Sequence, residues 1–347
     1  MDVLLLLASI TVAIVLLFDY TNGFHDAANI IATVIASRAM TPAQAVILVS
    51  IFEFLGPLLG GTAVADTIGS FVQLGGVPPL LSLAVILCGL VGAIVWNVIT
   101  WWKGVPSSSS HALVGGLTGA VLVSAGGDHV VWGFAELLEG RITGIIKVLA
   151  ALILSPLAGF WAGFLIHRLM HALLRAARPA ANSGLKLAQY VTAAALAFSH
   201  GANDAQKSMG ILTLVLLLGG FIPEFKVPFW VILACASAIT LGILSGGWRI
   251  ARTLGFAIYR VRPLHALDSQ LTSGAVIFAA AMAGAPVSTT HVVASSIMGI
   301  GASERPRSVR WSKAGDIIMA WIITIPGAAC FAILAYALVN LFLKPAA

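Results

Sequence analysis

Long apolar stretches separated by short polar ones dominate the chain. They run over 3–18, 24–36, 43–66, 80–102, 111–124 and 144–170. After a basic connection they resume over 187–198, 205–222, 229–247, 271–284, 287–300 and 314–343. A helix needs about 20 apolar residues to cross a bilayer, so the pattern predicts around ten crossings or hairpin passes. In each half, two segments are too short to span alone. One flanks a phrase rich in Asn and Asp, and the other follows a Pro-Ser/Thr run.

Composition agrees with that reading. The chain is 59% hydrophobic and 9% charged, with mean hydropathy +1.01, whereas soluble proteins carry about a quarter charged residues. The 19 Lys+Arg against 13 Asp+Glu give a net charge of +6. These basic residues cluster in loops, as the positive-inside rule expects, so nucleic acid is not an expected partner and the lipid bilayer is. Cys88, Cys235 and Cys330 lie isolated in apolar stretches without metal-ligand spacing, and read as small buried hydrophobes. The segment 3–18 has no basic leader and no clear cleavage site, so it reads as a retained first helix.

Two phrases occur twice. Asn22-Gly23-Phe24-His25-Asp26-Ala27-Ala28-Asn29 lies over His200-Gly201-Ala202-Asn203-Asp204-Ala205-Gln206-Lys207 at an offset of 204 − 26 = 178. Pro106-Ser107-Ser108-Ser109-Ser110-His111 lies over Pro286-Val287-Ser288-Thr289-Thr290-His291 at an offset of 291 − 111 = 180. A weaker match sets Ser155-Pro156 against Ile325-Pro326. Order and spacing agree, so the chain reads as a tandem duplication of residues 1–178 and 179–347.

Loop charge gives the relative orientation of the repeats. Arg249, Arg252, Arg260 and Arg262 lie in 249–265, whereas the equivalent stretch 69–79 has no Lys or Arg. Arg305, Arg307, Arg310 and Lys313 lie in 304–313, whereas 126–140 carries Asp128, Glu136 and Glu139 and no basic residue. Equivalent loops therefore belong on opposite sides of the membrane. Arg168, Arg175, Arg178 and Lys186 make the central connection cytoplasmic, with Arg38 inside, the 221–229 loop outside and both termini outside. The expected fold is an all-α polytopic membrane protein of two inverted-topology repeats, with broken helices and re-entrant helical hairpins.

A carboxylate kept at bilayer depth is expensive and points to function. Gly23 and Gly201, just ahead of Asp26 and Asp204, read as helix breaks that free backbone groups for a ligand. Asp26 and Asn29, like Asp204 and Lys207, are three apart and share a helical face. A polar helix–helix contact is the plainer alternative, and the repetition weighs against it. Each Pro-Ser/Thr run opens a short apolar helix with unpaired N–H groups, a positive dipole end and hydroxyl donors, which together suit an oxyanion. A capped helix start is the plainer alternative there, again weakened by duplication. His111 and His291 read as residues that orient loops by hydrogen bonding rather than as proton carriers. Asp26 and Asp204 call for a cation beside the anion, the pattern of cation-coupled anion symport. Asp19 and Glu53 add carboxylates that read either as coupling-ion ligands or proton acceptors, while Arg249 and Arg252 read as topology anchors.

At these residues the sequence resembles the inorganic phosphate transporter (PiT) family, of the bacterial low-affinity type. Gly201-Ala202-Asn203-Asp204 and Asn22-Gly23-Phe24-His25-Asp26 are similar to its duplicated motif, and residues 286–291 to its Pro-Val-Ser-Ser/Thr-Thr-His run. Trp96-Asn97, Ile51-Phe52-Glu53 and Gly246-Gly247-Trp248-Arg249 extend the resemblance over nearly the whole chain. It implies phosphate near Ser107, Ser108, Ser109, Ser110, Ser288, Thr289 and Thr290. It places cation or proton coupling at Asp26, Asn29, Asn203 and Asp204, to which Lys207, Glu53, Asn22 and His25 are added. Lys207 stands where many sodium-coupled relatives carry Asn, and the central cytoplasmic insertion of some relatives is reduced to the connection near 171–186.

The expected function is secondary symport of inorganic phosphate into the cell across the inner membrane. Coupling is to cations, protons favoured over sodium, with phosphate able to travel as a neutral complex with a divalent metal. No cofactor and no resident metal are expected, and a homodimer is left open. The alternatives are a sulfate or other tetrahedral-oxyanion permease, sodium-coupled phosphate symport, a passive anion channel and, remotely, an intramembrane hydrolase using a serine near His111 or His291.

Overall fold

The computed structural model describes residues 3–343, and thirteen α-helices account for most of them. In chain order these are α1 (Val3–Ala36), α2 (Pro42–Leu59), α3 (Ala63–Ser70), α4 (Pro79–Lys103), α5 (Ser109–Ser124), α6 (Phe134–Leu138) and α7 (Gly144–Leu173). They continue as α8 (Ala181–Leu218), α9 (Phe229–Ser245), α10 (Trp248–Arg252), α11 (Pro263–Met282), α12 (Thr289–Glu304) and α13 (Trp311–Leu343). Five of them (α1, α2, α4, α7 and α13) are long and apolar enough to cross a membrane, and α9 with its bent continuation forms a candidate sixth. The protein is a multi-pass membrane protein.

The sequence predicts breaks at the two Asn/Asp phrases, and the structure corrects this. α1 runs 34 residues and α8 runs 38 residues, each continuous through its phrase. The glycines serve close approach instead. A Cβ on Gly23 would lie 2.0 Å from the Ile239 carbonyl oxygen of α9, and one on Gly201 would lie 2.3 Å from the Glu53 carbonyl oxygen of α2. Only a residue without a side chain lets these backbones touch, and the apolar pairs 3–18/24–36 and 187–198/205–222 are each joined in one helix. The chain instead breaks after Leu59, between α2 and α3, and at a 63° bend between Phe229–Ser245 and Arg249–Phe256.

The Pro-Ser/Thr runs do stand at hairpin corners. Gly104, at φ 67°, ends α4, and Gly284, at φ 62°, follows the end of α11; both conformations suit glycine. A few extended residues then carry Pro106 and Pro286 into α5 and α12. These two helices have 16 residues each, about 24 Å at 1.5 Å per residue, which falls short of a hydrocarbon core of about 30 Å. α5 packs on α4 and α13, and α12 packs on α7 and α11.

Two apolar cores flank a polar middle layer. One takes Ala8, Val15 and Phe18 of α1 together with Ala205, Met209 and Val215 of α8. The other takes Ala27, Ile31 and Val34 of α1 with Ala193 and Ala197 of α8. The early part of α1 thus shares a core with the late part of α8, and the reverse, so the two helices run antiparallel. Their polar phrases lie at the level where the cores divide. Cys88 and Cys235 are buried as expected, whereas Cys330 is exposed on α13, a helix whose apolar surface faces outward.

Candidate functional site

The polar layer gathers the sequence-predicted residues at one place, almost wholly shielded from solvent. Asp26, Asn29, Glu53, Asn203, Asp204 and Lys207 are each no more than 1% exposed. An oxygen of Asp26, a nitrogen of His200 and an oxygen of Asp204 lie within 4.8 Å of one another. Carboxylates this close and this dry require compensating donors.

Asp26 receives donors from both hairpin corners. Ser109 Oγ donates to Asp26 Oδ2 at 2.9 Å, and Thr290 Oγ1 donates to Oδ1 at 3.0 Å. His25 Nδ1 lies 2.7 Å from the same Oδ1, and its Nε2 lies 3.2 Å from Ser107 Oγ and 3.3 Å from Thr100 Oγ1. Asn29 Nδ2 donates to Thr290 Oγ1 at 2.9 Å. One carboxylate therefore ties the starts of α5 and α12 to α1.

Asp204 is held differently. The Lys207 ammonium, one turn along α8, donates to Asp204 Oδ1 at 2.5 Å, to Ser110 Oγ at 2.6 Å and to the Val287 carbonyl at 2.9 Å. Thr289 Oγ1 donates to Asp204 Oδ2 at 3.2 Å. The lysine thus forms a buried ion pair in which all three ammonium hydrogens have an acceptor. Glu53 reaches in from α2, its Oε1 2.8 Å from His200 Nδ1, while Asn203 Nδ2 donates to the Ala285 carbonyl at 3.1 Å.

The remaining predicted residues hold the corners. Ser108 Oγ and Ser288 Oγ accept the backbone N–H groups of His111 and His291, at 3.2 and 3.3 Å, as helix N-caps. Ser110 Oγ donates to the Val287 carbonyl at 3.1 Å and binds one corner to the other. His111 and His291 face each other with ring centroids 4.6 Å apart, and His291 also stacks on Trp321 at 3.8 Å. His111 Nδ1 and His291 Nε2 have no hydrogen-bond partner among the described residues, so these rings pack together rather than orient loops through those nitrogens. Arg249 donates to the Trp102 carbonyl at 2.8 Å, away from the carboxylates.

Several buried polar atoms around the centre also lack a protein partner among the described residues. They include both amide atoms of Asn22 and of Asn97, Asn29 Oδ1, Asn203 Oδ1 and Glu53 Oε2. Buried polar groups are nearly always paired with protein or with ordered water, so these atoms call for a partner from outside the chain. Sequence reasoning missed Thr100 as part of the His25 group, because a single threonine in the last turn of an apolar helix carries no signal. Asn97 was visible only as part of a family motif.

Ten helices of 16 or more residues, two hairpin corners that meet, and a dry layer of carboxylates and hydroxyls define a membrane transporter. The comparisons give the family. Residues 22–332 match the phosphate transporter family model. A "Probable low-affinity inorganic phosphate transporter" of Rhizobium meliloti is 41% identical over 327 residues, covering 94% of each chain. One of Bacillus subtilis, bearing the same name, is 41% identical over 346 residues, covering 98% of this chain and 99% of its own. A solved structure, "The sodium-dependent phosphate transporter", superposes with TM-score 0.82 at 22% identity, covering 96% of this chain and 99% of that one, and so shares the fold. The chain belongs to the phosphate transporter family, and it is not an enzyme.

Proposed function

We propose that the protein imports inorganic phosphate across the cell membrane by symport with protons. We further propose that it is built as two inverted repeats, residues 1–178 and 179–347. The names of the relatives support phosphate as substrate, and the antiparallel course of α1 and α8 with the opposed loop charges supports the inversion.

One observation carries the coupling: Asp26 occupies hydroxyl donors from both hairpin corners. While Asp26 is ionised, Ser109 and Thr290 point at its carboxylate. A proton on that carboxylate weakens both hydrogen bonds and frees two hydroxyls beside the starts of α5 and α12. A tetrahedral anion can then accept from them and from the helix ends. The proton and the anion favour the same arrangement, which is what symport requires. In this reading His25, whose Nδ1 lies 2.7 Å from Asp26 Oδ1, passes the proton.

Lys207 argues for protons over sodium. Its ammonium already fills the cation position beside Asp204, so that carboxylate needs no dissociable ion. Sodium dependence in the name of the structural neighbour is a property of that protein. A phosphate carried as a neutral complex with a divalent metal brings less negative charge into this dry layer than the bare anion does.

Uptake of radiolabelled phosphate into proteoliposomes tests the substrate. Unlabelled phosphate should abolish uptake, and an equal concentration of sulfate should leave most of it. Equal competition by sulfate would make the protein a general oxyanion permease.

A further inference from the structure

Two short segments outside the central layer each fold against a hairpin corner from the other half of the chain. α3 follows the break after α2, where Gly61 turns the chain at φ 77°. α10 and the π-helical turn Thr253–Ala257 follow the break after α9, where Gly247 does the same at φ 103°. The glycines are 247 − 61 = 186 positions apart, and so are two threonines in these segments, 253 − 67 = 186.

The two threonines make the same bond. Thr67 Oγ1 donates to the Gly284 carbonyl at 2.7 Å, and Thr253 Oγ1 donates to the Gly104 carbonyl at 2.9 Å. These are the glycines that turn the α11–α12 and α4–α5 corners. The backbones also pack in the same way. A Cβ on Gly284 would lie 2.8 Å from the Ala63 carbonyl oxygen, and one on Gly104 would lie 3.6 Å from the Arg249 carbonyl oxygen. Ala63 and Arg249 each stand four residues before their threonine. A cation backs each contact. Lys147 Nζ donates to Thr67 Oγ1 at 2.9 Å, which strengthens that hydroxyl as a donor, and Arg249 donates to the Trp102 carbonyl at 2.8 Å, two residues before Gly104. The Ala63 carbonyl, 3.3 Å from Thr67 Oγ1, offers the hydroxyl a second acceptor within α3.

We propose that Thr67 and Thr253 are paired latches, and that releasing one or the other opens the polar layer to opposite sides of the membrane. The assignment of sides rests on the inverted arrangement proposed above. In it the α11–α12 hairpin enters from the inner side, so α3 covers its corner from outside. The α4–α5 hairpin enters from the outer side, so the segment with Thr253 covers its corner from within. The corners carry Ser109, Ser110, Thr289 and Thr290, so a corner that leaves its latch moves the hydroxyls around Asp26 and Asp204. Both latches are closed in this structure, and the layer is shielded from solvent. Ordinary packing accounts for either threonine alone. It does not account for the same hydroxyl-to-corner bond, on the same glycine-led segment, in both halves.

The test places one reporter thiol in the layer, Ser110→Cys, with Cys330→Ala removing the exposed native thiol. Labelling by an impermeant thiol reagent is then measured from outside on intact cells and from inside on inverted vesicles, without phosphate. Adding Thr67→Val should speed labelling from outside by roughly 2–12-fold, the weight of one neutral hydrogen bond, without speeding it from inside. Thr253→Val should do the reverse, and Lys147→Met should act as Thr67→Val does. Thr67→Ser and Thr253→Ser keep the hydroxyl and should label at the parent rate, whereas a packing role of the methyl group would not be rescued by serine. No change on either side, or an equal rise on both, overturns the latches. A rise on the side opposite to that stated for each variant supports the latches and overturns the orientation they are given. Labelling is read without transport, so failure of the latches leaves the phosphate reading intact.

Discussion

Lys207 and Asp26 solve one problem, a carboxylate out of water, in two ways. The lysine gives Asp204 a permanent charge partner, whereas Asp26 relies on hydroxyls and a histidine. Breaking a buried ion pair from one side costs about 3–5 kcal/mol because the other charge is stranded. Lys207→Asn should therefore destabilise the protein in sodium-free detergent solution. Sodium should restore thermal stability to the variant and leave the parent unmoved. An equal response of both proteins to sodium would mean that Lys207 does not fill a cation position. Ser109→Ala combined with Thr290→Ala removes two hydrogen bonds to a charged partner, each worth roughly 1.5–3 kcal/mol. Phosphate binding should weaken ten-fold or more, and unchanged binding would take these hydroxyls out of the site.

At the scale of helices, the duplicated phrases and hairpin corners were legible in the sequence because their chemistry is unusual inside apolar stretches. The role of the glycines was not. Glycine permits both a break and a close approach, and only the carbonyls of Ile239 and Glu53, far away in sequence, decide between them. Nor was the pairing of His265 on α11 with Glu304 at the end of α12 legible, 2.9 Å apart in space and 304 − 265 = 39 positions apart in the chain. Close approach makes a direct prediction. Gly201→Val should push α8 off α2, displace Glu53 from His200 and cost at least roughly 1–3 kcal/mol. Gly184→Val, where no atom lies within 4 Å of the added carbon, should be close to neutral in thermal unfolding. Equal stability of the two variants would contradict tight α2–α8 packing.

At the scale of the whole molecule, the two apolar cores leave one dry polar layer between them, and both hairpin corners meet there. The proposed inversion would put exposed Gly75 outside the cell and exposed Arg260 inside. A cysteine at Gly75, which avoids the φ of 95° at neighbouring Gly76, should react with an impermeant thiol reagent added to intact cells. A cysteine at Arg260 should not, and matching reactivity would rule out the inverted arrangement. The coupling claim joins all three scales, and proteoliposome uptake in sodium-free buffer tests it most directly. With the interior alkaline, phosphate should accumulate above its external concentration. Dissipating the pH gradient should reduce uptake to equilibration, and Asp26→Asn should abolish the response to the gradient. Uptake that is absent without sodium, or an Asp26→Asn protein that still concentrates phosphate on a pH gradient, would contradict the account.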